Sequence, residues 1–405
     1  MDRVETQYEL YPYPERDPED ERRRLITGSP SDPVEVDHFL FGGHGDWRTD
    51  RRILVAGGGT GDGLIQLAQK MADTGRMPRI TYLDMSRAAR RIAEARAEIR
   101  GLSDHIDFVT GSLLDAPEMG PFDYIDCTGV LHHLPDPDAG FRALARALTP
   151  DGGIGMMVYA PYGRSGVYEM QPFFNRLLQD FPEEEKVGAA RRILRNLPPH
   201  NRFRMNSLLV DHKQSDAGLY DLLLHARDRP YTVPDLLAAV DQADLQLVSF
   251  TQPAKYSLEP LLPEEKNLAE AREGLSVAEE WTLAEQLRGD LKTHVAYLAP
   301  KGRTAPMADI GDPALRPRLK GMRAEALARE IQTKGRLRIT DESGKQVLVI
   351  PKETAPLIAL ADGRLTLGQM AQAAGQDWFA FSALWRKVHG PLHGWGLIHY
   401  SDTFR

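Results

Sequence analysis

The clearest pattern of apolar and polar positions lies between residues 53 and 71. An apolar run at residues 53–56 leads into a turn that holds five glycines between positions 57 and 63. Beyond the turn, apolar residues fall at positions 64, 67, 68 and 71, which is the spacing of one face of a helix. The pattern predicts a strand, a glycine turn and a helix. In an open α/β sheet this arrangement forms the crevice in which a cofactor binds.

Further apolar runs follow at intervals that leave room for helices. They cover residues 79–86, 105–111, 122–130 and 153–159, and helical patterns separate them. Alternating strands and helices predict parallel βαβ units, and therefore an α/β sheet of the Rossmann-like kind. Two later apolar runs, at residues 245–250 and 293–299, are expected to extend the same sheet.

The glycine spacing separates the possible cofactors. A dinucleotide site needs glycines at positions i, i+2 and i+5, but the third position is Asp62 when counted from Gly57 and Leu64 when counted from Gly59. A phosphate-binding P-loop needs Gly-Lys-Ser/Thr before a helix, whereas Gly344-Lys345 is followed by glutamine. What remains is Gly-x-Gly-x-Gly at positions 57, 59 and 61, or a glycine-rich loop with a structural role.

This turn and the segments after it resemble the class I S-adenosylmethionine-dependent methyltransferases. The resemblance covers roughly residues 45–165 and includes the His132-His133-Leu-Pro-Asp-Pro segment and the Leu-Thr-Pro-Asp-Gly-Gly turn at residues 148–153. It resumes at residue 232, and it implies a seven-stranded sheet whose last two strands are antiparallel. The N-terminal Tyr-Pro-Tyr-Pro at residues 11–14 resembles a segment found in a bacterial subset of that family.

The resemblance implies S-adenosyl-L-methionine as cofactor and assigns residues to it. Asp84, at a strand end, is expected to bind the ribose hydroxyls. The whole predicted cofactor set is Gly57, Gly59, Gly61, Asp84, Met85, Ser112, Leu113 and Thr128. Two positions depart from the family: Val55 stands where the family often has an acid, and Ser112 stands where it often has the adenine-site acid. A serine hydroxyl can hydrogen-bond to adenine, but without a charge.

Candidate catalytic residues follow from the chemistry that this cofactor supports. An amine or hydroxyl acceptor loses a proton, and histidine is suited to take it at neutral pH, which makes His132 and His133 candidates. In the alternative interpretation, one of them packs under the cofactor or caps a helix. Tyr13 is a candidate for cation–π contact with the sulfonium, as are Tyr11, Tyr159 and Tyr162. Arg164 either binds an acidic group on the acceptor or is an ordinary surface arginine.

Composition fits a cytoplasmic enzyme. The chain has 405 residues, one cysteine and a formal net charge of −8. A single cysteine excludes an internal disulfide framework, and the scattered histidines show no repeated ligand spacing, so we expect no metal site. The net charge makes nucleic-acid binding unlikely. No membrane span and no signal-peptide pattern are expected, since no apolar run reaches eighteen residues.

The chain is expected to divide into three parts. Residues 1–44 form an N-terminal arm, which is either flexible or folded over the cofactor site as a lid. Residues 45–304 form the methyltransferase domain, with helical insertions at residues 163–230 and 258–292. Residues 305–405 form a small winged-helix-like domain with a charged helix at 313–334, a hairpin, two helices and a closing strand. Protein contact or homodimerisation is the favoured role of this last domain.

The sequence therefore predicts methyl transfer from S-adenosyl-L-methionine to an unidentified acceptor, a small molecule or a protein side chain. Rickettsial-type protein lysine methyltransferases share the broad plan of a methyltransferase core with added domains, which keeps a protein acceptor open. The alternative is a non-catalytic S-adenosylmethionine-binding sensor that contacts protein or DNA through the C-terminal domain. Val55 and Ser112 support this alternative, because both stand where the family often has an acid that contacts the cofactor.

Overall fold

Seven strands form the central sheet of the protein. The computed structural model describes residues 3–47, 51–76, 78–304, 307–341 and 344–404, with side chains from Gln7 onward. The strands are β1 (Arg52–Ala56), β2 (Arg79–Asp84), β3 (Ile106–Thr110), β4 (Phe122–Thr128), β5 (Leu148–Tyr159), β6 (Leu245–Phe250) and β7 (Thr293–Pro300). Their order is β3-β2-β1-β4-β5-β7-β6, which confirms the predicted seven-stranded sheet.

Fourteen described α-helices precede the last strand of this sheet. They are α1 (Arg3–Leu10), α2 (Pro33–Leu40), α3 (Asp62–Asp73), α4 (Arg87–Ile99), α5 (Ala116–Met119), α6 (Pro137–Arg146), α7 (Val167–Leu177), α8 (Glu183–Arg195), α9 (Arg202–Met205), α10 (Asp211–Gln214), α11 (Asp216–Leu219), α12 (Val233–Gln242), α13 (Lys266–Glu273) and α14 (Val277–Arg288). Helices α7 to α11 and a π-helical turn, Tyr220–Leu224, make up the first predicted insertion. Helices α13 and α14 make up the second.

The prediction that both closing strands are antiparallel was wrong for β6. Strand β7 lies between β5 and β6 and runs antiparallel to both, so β6 has the direction of β5. The chain reaches β6 through α12, and a helical crossover keeps successive strands parallel. From the end of β6 the chain passes through α13 and α14 and re-enters at the same end of the sheet, so β7 runs in the opposite direction.

Alternate residues of the strands pack on the two faces of the sheet. Leu54 and Ile125 are fully buried on one face with residues of α6 and α12. Val55 and Tyr124 are buried on the other face with residues of α2 and α3. Each large side chain buried in this way contributes roughly 1.5–3 kcal/mol to stability. Both faces are therefore covered, and the carboxyl ends of the strands remain as the edge at which a site can form.

Residues 1–44 contribute to this core as well as to the candidate site. Helix α2 begins after Asp32, whose side chain accepts a hydrogen bond from the backbone of Val34 and so caps the helix. Its residues Phe39 and Leu40 are fully buried against the sheet. The segment before α2 runs over the glycine turn. Within the described residues, no helix has the length and apolar character that a membrane span requires.

The C-terminal region has its own buried cluster and two small strand pairs. It contains β8 (Pro317–Leu319), α15 (Ala324–Lys334), β9 (Arg336–Asp341), β10 (Gly344–Val349), α16 (Ala355–Ala359), α17 (Leu367–Ala373), α18 (Trp378–Gly394) and β11 (Ile398–Tyr400). The predicted hairpin is present as the antiparallel pair β9–β10, and residues 342–343 of its turn lie outside the described residues. The helix predicted over residues 313–334 was wrong in its first half, because residues 317–319 pair with β11. A local pattern cannot reveal such a distant partner.

Candidate functional site

Strand β1 ends in a turn that only glycine accommodates well. Gly57, Gly59 and Gly61 have positive φ angles of 71°, 51° and 99°, which other residues adopt at a cost. A side chain at position 57 would also lie 2.3 Å from a methyl group of Val130. The three predicted glycines thus keep the turn free of side chains at the carboxyl end of the sheet, immediately before α3, while their own N–H groups bond to Leu83, Asp84 and Gly58.

Asp84 lies beside this turn, as predicted. Its Oδ2 accepts a hydrogen bond from the Gly59 backbone at 2.7 Å, and its Oδ1 accepts one from the Ser86 backbone at 2.8 Å. Burial raises the pKa of this carboxyl, and the backbone donors act in the opposite direction. The carboxylate therefore connects the end of β2 to the glycine turn and remains an acceptor suited to ribose hydroxyls.

The residues predicted around adenine also lie at strand ends. Met85 directly follows β2 and is 37% exposed, whereas Leu113 is buried. The Ser112 hydroxyl accepts a hydrogen bond from the Leu114 backbone, while Asp115 accepts one from the Ser112 backbone. Ser112 therefore caps a turn, and this role occupies one of its lone pairs.

Position 55 holds valine where the family often has an acid, but the neighbouring strand has an acid beside it. Val55 of β1 pairs in register with Asp126 of β4. Asp126 is 2% exposed, and its Oδ1 accepts a hydrogen bond from the Thr128 hydroxyl at 2.9 Å. Burial raises the pKa of Asp126 to about 6, although Ser31 and Thr128 lower it. Thr128, a predicted cofactor residue, ends β4 and so connects this acid to the strand-end surface.

The N-terminal segment covers the glycine turn. The carbonyl oxygen of Tyr13 lies 3.0 Å from the position of a Cβ at Gly59, and the Thr60 hydroxyl donates to the carbonyl of Pro14 at 2.8 Å. Arg16 forms an ion pair with Asp62 at 2.6 Å. The segment thus packs over the glycine turn, which is the arrangement that the lid interpretation requires.

A buried polar cluster lies next to the glycine turn. His133 stacks on His225 with ring centroids 3.8 Å apart, and its Nε2 is 4.0 Å from Asp221 Oδ1. The hydroxyl of Tyr159 donates to Asp221 Oδ2 at 2.9 Å. Tyr8, from the N-terminal segment, donates to Asp221 Oδ1 at 3.2 Å. The insertion, the sheet and the N-terminal segment therefore meet in one site.

Hydrogen bonds define the histidine tautomers in this cluster. His225 Nδ1 accepts from the Arg227 backbone N–H, so in the neutral ring Nε2 carries the proton and points to Tyr8. His133 Nδ1 lies 2.8 Å from the Arg227 carbonyl oxygen, and because a carbonyl only accepts, that nitrogen is the protonated one. In the neutral ring, His133 Nε2 would therefore hold the lone pair, 4.0 Å from Asp221 Oδ1.

His132 lies on the other side of His133, against Tyr159. It is 1% exposed, and burial lowers its pKa well below the usual range, so the ring is neutral. Among the described residues, neither of its nitrogens has a hydrogen-bond partner, and the same holds for Asp228 Oδ1. Buried polar groups without partners are costly. They are therefore candidates for contact with a bound molecule.

Arg164 is a buried group rather than a surface arginine. It is 3% exposed, donates to Asp228 Oδ2 at 3.0 Å and lies 3.6 Å from the centre of the Tyr159 ring. Its charge is thus balanced by Asp228. The ligand atoms of His132, His133 and Asp228 lie within 4.8 Å of one another, as do those of His133, Asp221 and His225. The spacing of these residues along the chain gave no sign of this proximity.

Sequence reasoning singled out His132, His133, Tyr159 and Arg164, but not the other residues of this cluster. Asp221, His225 and Asp228 come from the insertion, and Tyr8 comes from α1. A signal was present in Asp221-Leu-Leu-Leu-His225, where two polar residues four positions apart flank an apolar run. Such residues lie on one face of a helix and are candidates for a buried polar contact.

Comparisons with known proteins agree with the fold and place a methyltransferase domain in the chain. Residues 54–154 match the family model described as "Methyltransferase domain". An uncharacterised protein of Synechococcus sp. is 31% identical over 61% of this chain and 59% of its own length. The ubiquinone biosynthesis O-methyltransferase of Ralstonia nicotianae is 32% identical over 24% of this chain and 39% of its own length. The matches thus span about half of these curated relatives.

A solved structure resembles most of the chain. PKMT2 from Rickettsia typhi has a TM-score of 0.64 and 15% identity, covering 94% of this chain and 78% of that protein. The same protein with AdoHcy has a TM-score of 0.53 and 13% identity, covering 85% and 89%. The sheet therefore has the Rossmann-like class I methyltransferase fold, and residues 54–154 match a methyltransferase domain.

Proposed function

We propose that the protein transfers a methyl group from S-adenosyl-L-methionine to an acceptor bound at the polar cluster. The observation that supports this most is the contact between two sites. The glycine turn offers the cofactor a backbone surface without side chains, Asp84 offers it a carboxylate, and Tyr8 reaches from the segment over that turn to Asp221 and His225. A methyl donor and an acceptor would thus be adjacent, as in-line transfer requires.

The reaction itself needs few protein groups. When bound, S-adenosyl-L-methionine would supply its methyl group to the lone pair of an acceptor oxygen or nitrogen and would leave as S-adenosylhomocysteine, with the electrons of the broken carbon–sulfur bond on sulfur. The protein supplies alignment and takes up the acceptor proton. His133 Nε2 is the group that we assign to the proton, because Nδ1 is already bonded to the Arg227 carbonyl and Asp221, 4.0 Å from Nε2, can stabilise the imidazolium.

His132 and Tyr13 have supporting parts in this proposal. His132, neutral and without a partner among the described residues, is placed to hydrogen-bond to the acceptor. Tyr13 comes from the segment over the glycine turn, and burial raises its pKa. The phenol is thus neutral, and its ring is the predicted neighbour of the sulfonium.

The acceptor is expected to carry a hydrogen-bond donor. Asp228 Oδ1 can only accept, and neutral His132 offers one donor and one acceptor. An alcohol, a phenol or an amine satisfies both. The relatives named as O-methyltransferases favour a hydroxyl on a small molecule, whereas PKMT2 keeps a protein side chain as the second option.

The C-terminal region remains a proposed winged-helix-like module for protein contact. Val347 and Val349, two positions apart on the edge hairpin, are 53% and 73% exposed, and Phe379 at the start of α18 is 85% exposed. Large exposed apolar side chains favour a protein partner or a second copy of the chain over nucleic acid.

The test is methyl transfer from cofactor labelled on the methyl group into fractionated metabolites and proteins. We expect label in one acceptor class. His133→Ala should then lower kcat about 10²- to 10⁴-fold without weakening cofactor binding. His105→Ala, at an exposed position, is the matched control and should keep full activity. Cofactor binding without transfer to any fraction would favour a sensor instead.

A further inference from the structure

A buried carboxylate at the carboxyl end of the sheet lacks a cationic partner. Asp126 is 2% exposed, and its Oδ2 has no hydrogen-bond partner of good geometry among the described residues. None of the ion pairs found among those residues includes it, and no cation contributes to its pKa. Buried charges in proteins are normally paired, so this carboxylate calls for a positive group from elsewhere.

Asp37 is a buried carboxylate of the same molecule whose two oxygens both accept hydrogen bonds. It is equally buried, and burial raises its pKa to about 6. Its oxygens, however, accept from the Gly45 backbone, the Trp47 indole and the Ser401 hydroxyl. Asp126 accepts a hydrogen bond from the Thr128 hydroxyl, and the Ser31 side chain lowers its pKa by a hydrogen bond of poorer geometry. Within the described chain, two hydroxyl groups, without a backbone N–H or an indole, therefore give Asp126 less compensation for burial than Asp37 receives.

The position of Asp126 points toward the cofactor crevice. It is the register partner of Val55, two residues before the first glycine of the turn. Its Oδ2 lies 3.5 Å from the position of a Cβ at Gly63, in the first turn of α3. The Thr128 hydroxyl donates to Asp126, so its own lone pairs are free to accept from a ligand at the strand end.

We propose that Asp126 supplies, from β4, the negative charge that is missing at Val55 in β1, and that this charge attracts the α-ammonium group of the cofactor's methionine moiety to the Thr128 hydroxyl, which is bonded to Asp126 Oδ1. This inference rests on the proposed function. Asp126 is a positioning residue here, and Thr128 is the group that touches the ligand. The site would therefore bind ligands that carry the α-ammonium group of methionine or homocysteine more tightly than ligands that have only the adenosine part.

The test compares two ligands that differ in that part. S-adenosylhomocysteine carries the ammonium group, whereas 5′-methylthioadenosine keeps the adenine, ribose and thioether without it. By calorimetry, Asp126→Asn should weaken S-adenosylhomocysteine roughly 10- to 100-fold and leave 5′-methylthioadenosine unchanged. Thr128→Val should show the same selectivity. Asp107→Asn is the control. Asp107 is an exposed acid of β3 that pairs with Arg79 of β2, so this variant should bind both ligands as the wild type does.

A second measurement places a carboxylate at position 55 of β1 in a variant that lacks the Asp126 carboxylate. Val55→Glu in the Asp126→Asn background should recover part of the lost affinity for S-adenosylhomocysteine, which a purely structural role would not produce. Equal loss of both ligands, or unchanged binding of both, would overturn the role of Asp126. If the wild-type protein binds neither ligand, the proposed function fails as well, so the two failures are distinguishable.

Discussion

At the scale of single residues, Asp84 has the clearest assigned contact. It already holds Gly59 and Ser86 through backbone hydrogen bonds, and the proposal adds the ribose hydroxyls of the cofactor. Asp84→Ala removes both kinds of contact. Because a hydrogen bond to a charged group contributes about 1.5–3 kcal/mol, cofactor affinity should fall roughly 10- to 100-fold. Equilibrium dialysis with labelled cofactor measures this directly.

Asp107→Ala is the matched control for that experiment, since Asp107 is an exposed acid on the adjacent strand. It should bind the cofactor as the wild type does. If Asp84→Ala retains wild-type affinity in a folded protein, the ribose assignment is wrong. Folding is checked by the melting temperature of each variant without ligand.

The residue scale also shows where sequence reasoning reaches its limit. Gly57, Asp84 and His133 are predictable because each belongs to a short local pattern next to a strand end. Asp221 and His225 are not, since their positions depend on how the insertion folds back onto the sheet. Asp126 was part of a predicted strand, but its role follows from its register with Val55, which the sequence does not state.

At the scale of elements, the glycine turn is the part whose geometry allows the fewest substitutions. Gly57→Ala should destabilise the protein in two ways. A positive φ costs a non-glycine residue roughly 1–2 kcal/mol, and the new methyl group would clash with Val130, 2.3 Å away. We expect a loss of stability greater than the φ penalty alone, together with weaker cofactor binding.

Gly75→Ala is a close comparison. Gly75 has a φ of 68°, similar to that of Gly57, but nothing lies within 4 Å of its Cβ position. This variant should lose only the φ penalty and keep its cofactor affinity. Urea unfolding of both variants separates the two effects. Equal losses would mean that the contact with Val130 has no consequence for the turn.

Elements with local signals were predicted well, and elements with distant partners were not. Strands β1 to β5 follow from apolar runs that are each bounded by turns. The direction of β6 and the strand β8 were misjudged. The first depends on the crossover through α12, and the second on pairing with β11 some eighty residues later in the chain.

At the scale of the whole molecule, buried histidines join the core to the C-terminal region. His38 of α2 and His393 of α18 have Nε2 atoms 3.0 Å apart, and His399 of β11 packs against the His38 ring. Burial lowers the pKa of His393 to about 4. A histidine in the unfolded chain takes up a proton near pH 6.5. Between about pH 4 and pH 6.5, the unfolded chain therefore binds more protons than the folded protein does.

The contribution of the buried, neutral His393 to the free energy of unfolding is therefore fully present above about pH 6.5 and is lost as the pH falls toward 4. For His393 alone, the loss between pH 7.5 and pH 5 is about 2 kcal/mol. His393→Asn cannot titrate, so its free energy of unfolding should fall less over this range than that of the wild type. His200→Asn, at an exposed position, should behave as the wild type does. Identical pH dependence in all three proteins would contradict this account.

The central claim is that the chain binds S-adenosyl-L-methionine at the glycine turn and uses it as a methyl donor. Calorimetric titration of the full chain with S-adenosyl-L-methionine and S-adenosylhomocysteine tests it most directly. We predict saturable binding of both ligands at one site per chain, weakened in Asp84→Ala. A folded protein that binds neither ligand would contradict the claim.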